Sequence, residues 1–144
     1  MTTEHELRHI IQRHGLKVTK ARVKVLAVLS RSNTALSHTH ISERLHDRTI
    51  DKVTLYRTLD AFTRSGLTHK VASEDRSWLY ALHLDENHQP ASADDHAHFV
   101  CDSCEKIFCL PAERVAVLPK IMKQPGFQIR SHEYRLHGVC PDCT

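Results

Sequence analysis

Four cysteines fall as two Cys-x-x-Cys pairs, Cys101/Cys104 and Cys140/Cys143. Two residues between thiols let one turn aim both sulfurs at a single ion. Two such turns complete a tetrahedral four-sulfur shell, a donor set suited to Zn2+. A shell of this kind has no open coordination position, so its role would be structural rather than catalytic. The same residues could instead form two redox pairs or two disulfides. Residues 105–139 lie between the pairs, a longer gap than in a common zinc ribbon, so a folded element must carry the chain back. The fifth cysteine, Cys109, is either a buried strand residue or a ligand of a second site. His96 and His98 stand just before the first pair. On a strand, residues two apart face the same side, which makes them a second pair of metal donors.

The elements that would position these groups follow from periodicity and end signals. Residues 4–14 place Leu7, Ile10 and Ile11 at helical spacing, and Gly15 ends the run. Thr19 can cap a second helix to about Arg31, and Ser37 a third ending near Asp47. Asp51 can cap a fourth helix over residues 52–65, with Leu55, Leu59 and Phe62 as its buried stripe and Gly66 as its stop. Arg57 then points away from the stripe, and Thr54 and Tyr56 lie on its flanks. Two β-patterned runs, 67–73 and 77–84, meet at the turn Glu74-Asp75-Arg76. Helices followed by a hairpin in this order predict a winged helix whose fourth helix enters a DNA major groove. Beyond a polar stretch with Pro90, two strands should flank the first Cys-x-x-Cys turn. Pro111 should start a helix to about residue 124, and residues 127–137 should form a strand. The expected class is α+β: a winged-helix DNA-binding domain over 1–84, a linker over 85–95, and a small α/β metal-binding domain with the four-cysteine zinc site over 96–144.

Charge divides along the same line. Residues 1–84 hold 14 Lys/Arg and 8 Asp/Glu, a net +6, whereas residues 85–144 hold 6 and 9, a net −3. A basic half followed by an acidic half that carries His96, His98 and all five cysteines suggests an anion-binding module joined to a cation-binding one. The apolar run over residues 23–29 contains Lys24 and is far too short to span a bilayer. The opening residues are polar rather than a signal peptide, so a cytoplasmic location is expected. Residues 5–9 read His-Glu-x-x-His, but no His-x-Glu…Cys-x-x-Cys pattern occurs, and a four-sulfur shell leaves no coordination position open. A zinc or thiol enzyme, the alternative from another class, would need such an open site, so no enzymatic activity is expected.

Several motifs together resemble the ferric-uptake-regulator family. Gly15-Leu16-Lys17-Val18-Thr19 followed by Arg22 is similar to the family's opening. Val53-Thr54-Leu55-Tyr56-Arg57-Thr58-Leu59 resembles its recognition helix. Asp95-His96-Ala97-His98-Phe99-Val100-Cys101-Asp102-Ser103-Cys104 resembles its metal signature, and Leu136-His137-Gly138-Val139-Cys140-Pro141-Asp142-Cys143 its C-terminal end. The resemblance implies a homodimeric repressor, with 96–144 as its dimerisation domain, that binds a palindromic, A/T-rich double-stranded operator when loaded with a divalent metal. It implies DNA contacts from Lys17, Arg22, Thr54, Tyr56 and Arg57, and a structural zinc on Cys101, Cys104, Cys140 and Cys143. Chemically, Arg offers a fork of donors to guanine or phosphate, and Tyr an apolar contact to a thymine methyl.

The resemblance also implies a regulatory metal site that includes His96 and His98. Positions where iron-type members carry ligands are Ala35, Ala81 and Ala97 here. The zinc-uptake regulators of the family fit better, and point to His69, His83, His96 and His98 as a regulatory set for Zn2+, with Cys109 as a further member. Fe2+, Mn2+ or peroxide sensing is the alternative. His132, with Glu113 as the nearest carboxylate, matches a third family site.

Overall fold

The computed structural model describes residues 2–82, 96–111, 125–128 and 134–144. The chain forms two compact units, Met1–Ala91 and Ser92–Thr144.

Four helices open the first unit: α1 (Glu4–Arg13), α2 (Lys20–Ser30), α3 (His38–Leu45) and α4 (Lys52–Arg64). Each begins at a side chain that accepts from a backbone N–H three residues on: Thr3, Thr19, Ser37 and Asp51. Such caps satisfy donors that the first helical turn leaves bare. Thr3 and Glu6 form a reciprocal capping box. At the other end of α4, Gly66 takes φ +82°. That left-handed turn lets Leu67 N–H reach the Phe62 carbonyl at 2.9 Å and Gly66 N–H the Thr63 carbonyl at 3.2 Å, closing the helix. Leu55, Leu59 and Phe62 are buried as the helical spacing required, and Thr58 joins them. They meet Leu7, Ile10 and Ile11 of α1, Val25, Leu26 and Leu29 of α2, and Ile41 of α3 in one core.

The hairpin forms from β2 (Thr68–Ala72) and β3 (Trp78–Leu82), antiparallel with Lys70 opposite Tyr80. A third strand, β1 (Leu36–Ser37), pairs with the far edge of β3 and gives the order β1-β3-β2. No local pattern announces β1, because two residues are too few to show alternation. Three helices, a fourth with one exposed face, and a three-stranded wing make a winged helix.

The second unit is a sheet of β4 (His96–Cys101), β5 (Ile107–Pro111) and β6 (Tyr134–Gly138), in the order β5-β4-β6. β4 runs antiparallel to β5 and parallel to β6. Pro111 ends β5 rather than visibly starting a helix, and the rest of the helix expected to 124 lies outside the described residues. Phe127 and Gln128, expected in the last strand, are not in one, and β6 starts at Tyr134. Among the described residues, no helix is long and apolar enough to cross a membrane.

Candidate metal centre and nucleic-acid interface

The parallel pairing of β4 with β6 assembles the cysteines. Its register sets Cys101 beside Gly138, so both strands end together and Cys140 emerges next to Cys101. Asp102 N–H donates to the Gly138 carbonyl at 2.7 Å, and Cys140 N–H points at the Cys101 sulfur at 3.4 Å. A Cβ at Gly138 would lie 3.2 Å from two ring carbons of Phe99, so the ring packs where a side chain would have to stand. Glu105 turns left-handed at φ +62° and its N–H returns to the Cys101 carbonyl at 2.9 Å, which closes the first Cys-x-x-Cys turn.

The four Sγ atoms of Cys101, Cys104, Cys140 and Cys143 lie within 4.8 Å of one another. Cys104 Sγ and Cys140 Sγ are 3.8 Å apart. A tetrahedron with metal–sulfur bonds of ~2.3 Å puts its sulfurs ~3.8 Å apart, whereas a disulfide needs ~2.05 Å. The sulfurs are thus spaced for one shared cation, and none of the five cysteines is in a disulfide. Their acidities are split: N–H groups of Cys104, Cys140 and Ser103 bring Cys101 down to about 6, while hydrogen bonds with Cys140 and Cys104 push Cys143 up to about 12. Sulfurs this close resist ionising together unless a cation offsets the charge. The donor set fits Zn2+, which would draw all four to thiolate.

A second donor pair lies further along the same sheet. His98 sits directly opposite Cys109 across the β4–β5 ladder, so both project from one face. Their donor atoms lie within 4.8 Å of each other. His98 is buried, and burial pushes the Cys109 thiol up to about 11. Pairing Cys109 with His98 required the strand register and was not readable from spacing. His96 is the first residue of β4, opposite Pro111. His69 lies half-buried on β2 of the first unit, opposite Ala81. His83, Glu113 and His132 lie outside the described residues.

The exposed face of α4 carries Tyr56, 47% accessible, and Arg57. Thr54 is half-buried, and its N–H is held by the Asp51 cap at 2.7 Å. Val53, 55% accessible and one turn before Arg57, shares this face. Lys17 is exposed in the turn before α2. Arg22 Nη1 donates to the Lys17 carbonyl at 2.6 Å, so its guanidinium also braces that turn.

Residues 13–137 match the Ferric uptake regulator family. The chain belongs to that family. A ferric uptake regulation protein of Campylobacter jejuni is 30% identical over 142 residues, covering 94% of this chain and 84% of the relative. The zinc uptake regulation protein of Escherichia coli is 28% identical over 150 residues, covering 99% and 84%. Among solved structures, a zinc uptake regulator complexed with zinc and DNA is 27% identical with a TM-score of 0.70, covering 99% of this chain and 96% of that one. Members of the Ferric uptake regulator family are metal-responsive transcriptional regulators rather than enzymes, and the winged helix and cysteine cluster described above are consistent with that family.

Proposed function

We propose that this family member is a zinc-responsive repressor of metal uptake that binds palindromic, A/T-rich operator DNA as a homodimer once loaded with a divalent metal. The observation that carries the reading is a pair of donor sets with different chemistry in one small sheet. The four-sulfur shell is closed, so an ion there would be held for stability. The His98–Cys109 pair leaves coordination positions for other donors, as a sensing site must. The sequence supplies His69, His83 and His96 as those donors, with His132 and Glu113 as candidates for a third site. Imidazole with thiolate favours Zn2+ over Mn2+ and Fe2+. An ion held there would supply positive charge that fixes the orientation of its ligands, and so of the elements bearing them.

On the nucleic-acid side, Arg57 and Lys17 offer charge to phosphate or guanine, and Tyr56 and Val53 offer apolar contact to thymine methyls. A two-fold dimer matches an inverted repeat. A structure of a zinc uptake regulator with zinc and DNA and the name of the Escherichia coli relative support zinc. The name of the Campylobacter jejuni relative favours iron instead. Gel shifts of the promoter fragment upstream of the protein's own gene, titrated with buffered Zn2+, Fe2+ and Mn2+, decide between them. Zinc should induce the shifted complex at the lowest free concentration relative to each ion's intrinsic affinity. Earlier induction by Fe2+ or Mn2+ on that scale would transfer the assignment to that ion.

A further inference from the structure

We infer that His38 is a positioning residue for Tyr56, holding the phenol ring in the plane from which it meets a thymine methyl; this rests on the reading of α4 as the groove helix. His38 is the first residue of α3, immediately after the Ser37 cap. Its imidazole stacks on the Tyr56 ring with centroids 3.8 Å apart and planes 24° from parallel. Its Nε2 lies 3.4 Å from the carbonyl of Lys52, the first residue of α4. The ring is therefore pinned twice against one helix, once by stacking and once by a hydrogen bond to backbone. Burial, the largest influence on it, holds the His38 imidazole below its ordinary pKa. A carbonyl can only accept, so Nε2 carries the hydrogen in this contact.

An exposed tyrosine on a helix samples several rotamers, and binding must select one. Here one face of Tyr56 is covered by His38 while the residue keeps 47% accessibility. The selection is thus largely made before DNA arrives. A ring fixed in this way discriminates methyl from no methyl better than one that can swing aside.

The test uses the full-length, metal-loaded protein and a labelled duplex selected by it from a random pool, made once with thymine and once with uracil throughout. Uracil differs only by the missing methyl. His38→Ala should weaken binding to the thymine duplex about three- to tenfold, the size of one aromatic stack, and shrink the thymine-over-uracil preference. His38→Phe, which keeps a flat ring, should restore both. In a Tyr56→Ala background, His38→Ala should add nothing, because the two act as one unit. If His38→Ala does not fold, His38→Leu fills the space without a ring and gives the same comparison. An undiminished preference in the ringless variant, failure of Phe to restore it, or additive losses would overturn the role of His38 while leaving DNA binding intact. Recovery of no duplex, or no change in preference on Tyr56→Ala, would instead remove the groove-helix reading and this inference with it.

Discussion

Two kinds of sulfur share one sheet in this protein. Cys101 is surrounded by N–H groups that stabilise a thiolate, and three further sulfurs complete its surroundings. Cys109 is held in its thiol form by burial, with His98 across the ladder. Removing one ligand from the closed shell should therefore cost the fold, and removing one from the open pair should cost the response. Cys101→Ser is expected to lose the tightly held zinc and cooperative thermal unfolding, because a structural metal contributes folding energy. His98→Ala should keep one zinc per chain and a cooperative transition but lose metal-dependent DNA binding. Metal analysis beside calorimetry checks both, and identical behaviour of the two variants would abolish the distinction. Arg57→Ala should weaken binding and reduce the slope of log affinity against log salt by about one if the guanidinium neutralises a phosphate. An unchanged slope would point to a base contact instead. The cysteine shell was legible from spacing because two-residue turns carry their own geometry. The resemblance put His98 and Cys109 in one regulatory set, but spacing alone did not pair them, because a cross-strand partner depends on a register that no local pattern encodes.

At the scale of elements, α4 has a buried face and an exposed one, and the proposed function gives the exposed face to DNA. Leu59 is fully buried at its centre, so Leu59→Ala should destabilise the protein by about 2–5 kcal/mol through lost burial and a residual cavity. Denaturant unfolding would show this as a lower midpoint with unchanged slope. Asp51 starts the helix, and hydrogen bonds from the Thr54 side chain and backbone hold its carboxyl below the usual carboxylate value. A carboxyl depressed in the folded state stabilises above its unfolded pKa, and that contribution fades as pH falls through the folded value. Asp51→Ala should accordingly lower stability near neutral pH and lose less of it on acidification. Equal loss of stability at all pH values in both proteins would contradict the cap's charge. Among the described residues, the starts of α2, α3 and α4 were readable, since Thr19, Ser37 and Asp51 each stood just ahead of an apolar period. The long-range pairings were hidden: β1 is two residues, and the parallel β4–β6 pair joins segments more than thirty residues apart through a crossover whose local pattern says nothing of its destination.

Over the whole molecule, the net +6 of residues 1–84 and the net −3 of residues 85–144 assign opposite ligands to opposite ends of the chain. A basic winged helix suits a polyanion, and a sulfur- and imidazole-bearing sheet suits a cation. Regulation requires that the second ligand change affinity for the first, and by linkage the reverse must hold as well. DNA should therefore tighten zinc binding by the same factor that zinc tightens DNA binding. The most direct measurement is an anisotropy titration of a selected duplex against protein that carries only its tightly held zinc, repeated at increasing buffered free Zn2+, with bound zinc counted in parallel. Duplex affinity should stay low at one zinc per chain and rise as further zinc binds. Full affinity at one zinc per chain, or further zinc that binds without changing affinity, would contradict a metal-gated repressor.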